Sequence, residues 1–177
     1  FPKNGLIEIK LMLMIILIQK KKHSKIKIGY FSAEFRSHAM GYLMNRVYDF
    51  HDRSMFELYG FYFGPAIDHE DKLQKKIINS FDRFIDVSQF EDNEICKLSK
   101  EIGIDIGIDL MGHTGANTNR FTIFQKKIAP IQICFLGFHI LTCIYLSNLR
   151  LNTQYLIINL TFLNIILNSQ QQYDEIL

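Results

Sequence analysis

Apolar positions in the middle of the chain follow two rhythms, one of period two and one of period three to four. Residues 26–31 (IKIGYF) alternate around Lys27 and predict a strand. Residues 41–50 (GYLMNRVYDF) place Leu43, Val47 and Phe50 on one helical face. Residues 56–63 (FELYGFYF) are aromatic-rich and strand-like, and Gly64-Pro65 ends the run. Residues 68–80 are charged, with Leu73, Ile77 and Ile78 on a face, and predict a surface helix. Residues 83–87 (RFIDV) predict a short strand. Ser88 and Glu91 have the spacing of a capping box before a helix that carries Ile95, Leu98 and Ile102 and closes at Gly103. Residues 104–110 (IDIGIDL) predict a further strand, 119–127 a short helix with Asn119 as its cap, and 130–136 (PIQICFL) a last strand. Strand–helix alternation with short connections predicts an α/β fold built on an open, mostly parallel sheet flanked by helices.

The two ends break this rhythm. Residues 11–18 (LMLMIILI) form an eight-residue apolar run followed by three lysines. The run is too short to cross a bilayer, and its charges follow it rather than precede it, so it reads as a buried helix or strand and not as a signal peptide. Residues 138–177 contain no Gly, no Pro and three charged residues, Arg150, Asp174 and Glu175. Asparagines interrupt the Ile- and Leu-rich stretch, so no membrane span is expected there. The chain opens on Phe1 rather than Met, which gives the expectation of a fragment.

Composition narrows the class. The 177 residues are 48% hydrophobic with a net charge of +2, enough for one folded domain and without the basic excess of a nucleic-acid binder. Three cysteines, Cys96, Cys134 and Cys143, have neither the number nor the spacing of a disulfide framework or zinc site, so a cytoplasmic setting is expected. There is no GxGxxG and no GxxxxGK[ST] motif, which removes the two common nucleotide-binding fingerprints.

Ligands of open α/β sheets bind beyond the carboxyl ends of the strands. Three loops lie there. The first, residues 32–40, holds Glu34 and His38. A histidine beside a carboxylate serves as a general base or polarises a hydroxyl if both face one cleft; equally, a histidine here caps a helix start and nothing more. The second, residues 111–119, contains Gly112, His113, Thr114 and Gly115, two glycines that let backbone approach a ligand and two polar contacts. The third begins at Gly137. Asp105 and Asp109 share a face at even spacing, as a metal pair would, but no third ligand completes a set, so no metal is expected and strand-end roles are. His51 with Asp52 and Arg53 reads as a turn, His23 and His69 as solvated, and the aromatic run 56–63 as core.

Taken in order, these blocks resemble a known family. The segment 28–38 (IGYFSAEFRSH) with Gly41-Tyr42-Leu43-Met44, the segments 51–58 (HDRSMFEL) and 84–88 (FIDVS), the run 103–115 (GIDIGIDLMGHTG), and Ala129-Pro130-Ile131-Gln132 with Leu136-Gly137 together resemble the start of the catalytic region of protein O-linked N-acetylglucosaminyltransferases, including the SPINDLY proteins. The resemblance implies the Rossmann-like amino-terminal lobe of a GT-B glycosyltransferase, an enzyme that moves N-acetylglucosamine from UDP-GlcNAc to Ser or Thr hydroxyls of a protein acceptor without a metal or other cofactor. His38 then matches an active-site histidine near sugar and acceptor. Glu34 stands where the family often has Asp, a proposed base. Gly112, His113, Thr114 and Gly115 fall in the second cleft loop, and Leu136 and Gly137 in the third.

Three regions are expected: an atypical segment 1–25, the transferase-like lobe 26–137, and an atypical tail 138–177, read as frame-disrupted or degenerate because the resemblance stops after Phe138. The second, nucleotide-binding lobe is missing from the sequence, so the chain is expected to be inactive alone. A non-catalytic protein-binding module and a non-functional gene fragment are the alternatives.

Overall fold

The computed structural model describes residues 25–112, 120–135 and 155–157. The apolar run at 11–18, His23, and all of residues 138–177 except 155–157 lie outside them.

Six strands form one sheet: β1 (Ile26–Ser32), β2 (Phe56–Tyr62), β3 (Arg83–Asp86), β4 (Ile106–Asp109), β5 (Ile131–Cys134) and β6 (Tyr155–Ile157). Their spatial order is β3-β2-β1-β4-β5-β6, and every neighbouring pair is parallel. Four helices are described: α1 (Ala39–Met44), α2 (Lys72–Asn79), α3 (Asp92–Ile102) and α4 (Phe121–Gln125). This is the doubly wound, Rossmann-like order, so the expected parallel α/β architecture is the one observed. The sequence pattern did not anticipate β6, whose backbone pairs with β5 along Gln132–Cys134.

The pleat sorts side chains into two cores, because parallel strands are covered on both faces. On one side Ile28, Tyr30, Leu58, Tyr62, Ile106, Ile108, Ile131 and Ile133 pack with Met44, Tyr48 and Ile77 from α1, its following turn and α2. On the other, Phe31, Tyr59, Phe61 and Phe63 pack with Ile95 and Cys96 of α3 and Ile123 and Phe124 of α4. Phe31 stacks on Phe61 with ring centroids 4.4 Å apart. The aromatic run of β2 is therefore core, as its composition implied.

Three local expectations need correction. The helix expected over 41–50 ends at Met44, and the stripe Leu43–Val47–Phe50 is not its buried face: Leu43 is 63% and Phe50 51% exposed, while Gly41, Met44, Val47 and Tyr48 are inside. The Asn45 side chain donates to the Tyr42 carbonyl, and Val47 and Phe50 donate to carbonyls three residues back, so the chain continues in tight turns. Ser88 does not cap α3. Its amide donates to Asp86, and the reciprocal pair sits three residues later, where the Glu91 amide donates to the Glu94 carboxylate. His51 does lie in a turn region, but it is buried: Nδ1 donates to the Val47 carbonyl at 2.8 Å, leaving Nε2 to accept the Tyr30 hydroxyl at 3.0 Å. Burial holds its pKa below the ordinary histidine value against the opposing pull of the Val47 carbonyl, so the ring stays neutral and ties β1 to the end of the α1 segment.

Candidate active site

Strand order reverses at β1: the chain builds outward through β2 and β3, then returns to lay β4 on β1's other edge. The carboxyl ends of β1 and β4 flank the crevice where such sheets bind ligands. The first two loops singled out from the sequence leave the sheet at these two ends.

The first loop is fixed at both edges. The Ser32 hydroxyl accepts the Glu34 amide at 2.9 Å and itself donates to the Met111 sulfur at 3.6 Å, joining the first loop to the second. Phe35 turns inward and is 1% exposed, against Tyr48, Tyr62, Phe81 and Phe84. Its neighbours Glu34 and Arg36 are half-buried and pair at 2.7 Å. His38 caps α1, its Nδ1 accepting the Met40 amide at 3.3 Å, and the same nitrogen stands 3.7 Å from the Glu34 carboxylate. The helix-cap role and the carboxylate–histidine juxtaposition are thus both present. Because the Nδ1 lone pair faces an N–H, the neutral ring carries its hydrogen on Nε2. The His38 side chain is about half exposed, whereas that of Glu34 is 15% exposed.

Asp71 tethers this loop from α2. Its carboxylate accepts the Leu73 and Gln74 amides as the helix cap, and also the Ser37 amide at 2.6 Å and hydroxyl at 2.7 Å. Desolvation opposes ionisation here, but the bonds from Gln74, Ser37 and Leu73 together hold the carboxyl below its usual range. In Asp71→Asn the amide group cannot accept at every one of these sites. Ser37 amide exchange, followed by NMR, is expected to accelerate about tenfold, with exchange in β1 unchanged.

The second loop begins with a sharp turn. Asp109 Oδ1 accepts the amides of Met111 at 2.8 Å and Gly112 at 2.9 Å, and Gly112 takes the left-handed φ of 56°. A side chain at Gly112 would be strained there. His113, Thr114, Gly115, Leu136 and Gly137 lie outside the described residues. Asp105 and Asp109 do not form a pair: Asp105 lies before β4 and accepts the Lys27 amide at 2.7 Å, and Asp109 sits at the strand's other end. Among the described residues, no group of three metal-ligating side chains assembles. No described helix is long and apolar enough to cross a membrane.

Residues that sequence reasoning missed are the supports Ser32, Arg36 and Asp71; Asp109 stands at a strand end, as expected, but its grip on the next turn was not foreseen. Only Asp71 carried a signal, as an acidic residue just ahead of the apolar period 73–77.

A parallel sheet with a switch point flanked by these polar loops defines the class as a Rossmann-like lobe. Comparison with known proteins narrows it. The family model described as glycosyl transferase family 41 matches residues 14–147. The chain belongs to that family. Over 114 residues it is 31% identical to a probable UDP-N-acetylglucosamine–peptide N-acetylglucosaminyltransferase, SEC, of Arabidopsis thaliana, covering 64% of this chain and 11% of that protein. It is likewise 31% identical over 115 residues to the UDP-N-acetylglucosamine–peptide N-acetylglucosaminyltransferase of Caenorhabditis elegans, covering 64% and 10%. The solved O-GlcNAc transferase of Thermobaculum terrenum, a K341M mutant, superimposes with a TM-score of 0.60 at 35% identity, over 66% of this chain and 22% of that one. The chain thus spans about a tenth of the length of these curated relatives.

Proposed function

We propose that residues 26–137 form the amino-terminal catalytic lobe of a protein O-GlcNAc transferase, and that Glu34 and His38 act on the acceptor hydroxyl. In the inverting reaction the Ser or Thr oxygen forms a bond to the sugar's anomeric carbon, the bond from that carbon to UDP breaks, and the hydroxyl proton passes to a base. With His38 Nδ1 turned to the Met40 amide, Nε2–H is the hydrogen left to donate to a substrate oxygen and orient it in this reading. The carboxylate of Glu34 is the proton acceptor in this reading, and Arg36 pairs with it at 2.7 Å and holds it in place. UDP-GlcNAc and a protein segment are the substrates. Gly112, His113, Thr114 and Gly115, with Leu136 and Gly137, supply backbone and polar contacts along the cleft.

The observation that carries the reading is the convergence of a carboxylate–histidine pair and a Gly-containing loop on the single switch point of a family 41 lobe. Most nucleotide contacts in a two-lobed enzyme come from the second lobe, so the 177-residue chain alone is expected to show no transfer from labelled UDP-GlcNAc. Adding a family 41 second lobe in trans is expected to restore it. Turnover by the isolated chain contradicts the two-lobe reading, and no turnover with any added lobe favours a non-catalytic binding module or a non-functional fragment.

A further inference from the structure

Asp109 is an anomaly of the core. It occupies the last position of a strand whose other residues are Ile106, Gly107 and Ile108, and it is 2% exposed. Its register partners on the flanking strands are Phe31 of β1 and Cys134 of β5, both fully buried. One oxygen, Oδ1, takes the amides of Met111 and Gly112; the other, Oδ2, is buried and has no hydrogen-bond partner among the described residues. A carboxyl group in such surroundings is costly, and a β-branched apolar residue would fill the position without that penalty. Among the described residues two amide bonds offset the cost, and both fall on the turn that launches the second cleft loop.

We infer that Asp109 is a positioning residue of the cleft: its carboxyl grips the backbone of Met111 and Gly112, and through it sets the departure of the second loop beside Ser32. The placement rests on the proposed transferase site, but the grip itself does not. An ionised carboxylate accepts amide hydrogens more strongly than the neutral acid, so the grip depends on the proton. Burial pushes the Asp109 pKa up to about 6, against the lowering pull of the Gly112 and Met111 amides. No charged side chain contributes to that shift, and the one titratable group on a neighbouring register position is the buried Cys134 thiol, whose ordinary range lies well above it. The grip therefore changes character near pH 6: above it the two amide bonds are stronger but the ionised group carries its full burial cost, and below it the neutral acid holds the amides more weakly without that cost.

Two-dimensional amide NMR of the 177-residue chain tests this without reference to activity. The Met111 and Gly112 resonances are expected to titrate together with a midpoint near pH 6. In Asp109→Asn the side-chain oxygen keeps the bonds and both resonances become flat across that range. In Asp109→Ala, Gly112 exchange protection at pH 7.5 falls about tenfold below that of Asp109→Asn. Resonances that do not titrate in the unsubstituted chain, or a titration that survives in Asp109→Asn, overturn the inference. Should Asp109→Ala not fold, the Asn comparison alone decides. With a second lobe that confers activity, the limb of the pH–rate profile near pH 6 is expected to disappear in Asp109→Asn; its persistence removes Asp109 from the cleft's control. If no lobe confers activity, the functional reading fails while the resonance titration still decides the grip.

Discussion

Phe35→Ala is expected to lower the stability of the chain by about 3–5 kcal/mol, the usual cost of deleting a buried phenylalanine. Phe35 is the one side chain of the Glu34–Phe35–Arg36 triplet that enters the core. There its ring lies 5.2 Å from Phe81, 6.0 Å from Phe84, 6.1 Å from Tyr48 and 6.3 Å from Tyr62. These four neighbours are themselves rings held by β2, β3 and the turns beside them. They have little freedom to collapse, and a cavity remains. A small domain holds about 5–15 kcal/mol in all, so this one change removes a large share. The loss also has a local part. With the anchor gone, Glu34 and Arg36 lose their fixed entry angle, and amide exchange in Glu34–Ser37 is expected to rise before that of β1. Chemical denaturation gives the first quantity and exchange the second. Phe35→Leu, which refills much of the volume, is expected to cost about 1–1.5 kcal/mol. A loss under about 1 kcal/mol for the alanine variant means that the loop does not hang from this ring.

Gly41→Ala is expected to be destabilising by about 2 kcal/mol, against the direction of helix propensity. In an exposed helix interior the change gains up to about 1 kcal/mol. Here a Cβ would stand 2.0 Å from the Arg36 carbonyl oxygen and 3.3 Å from that of Glu34. The obstacle is backbone and cannot rotate aside, so α1 and the loop must separate, and overpacking of this kind costs about 1–3 kcal/mol. The close approach is what lets His38 cap α1 while remaining beside Glu34. The variant is therefore expected to melt at lower denaturant and to lose Ser37 protection as well. A melting midpoint equal to or above that of the unsubstituted chain contradicts the contact.

The elements that sequence pattern located well are those whose period follows from burial on known faces. Residues 56–63 and 104–110 are too apolar and too short to be anything but covered strands, and Gly103 stops α3 in the left-handed conformation at φ 76°. The α1 region went differently because the apolar stripe Leu43–Val47–Phe50 is a regular helical one, yet Gly41 fixes which face meets the loop and Asn45 turns the chain out of the helix. Tertiary contact overrode local period. At the site, Glu34 and His38 were visible because one short loop holds both. Asp71 reaches the first loop from 34 residues along the chain and Asp109 reaches the second from the end of β4; the apolar period after Asp71 marks a helix cap and the spacing of Asp109 a strand end, and neither pattern marks the loop it holds. The strand at Tyr155–Ile157 lay in a stretch without Gly or Pro punctuation, so nothing bounded it.

The central claim is that the loop after β1 performs the chemistry of a transferase lobe, and reconstitution tests it most directly. The 177-residue chain is combined with a family 41 second lobe, and transfer of labelled N-acetylglucosamine from UDP-GlcNAc to a protein acceptor is measured for the unsubstituted chain, His38→Ala and Glu34→Gln. Transfer by the unsubstituted pair, with losses of about 10²–10⁴-fold in both variants, is the predicted result for groups that orient and deprotonate the acceptor. Transfer that persists undiminished in both variants would contradict it.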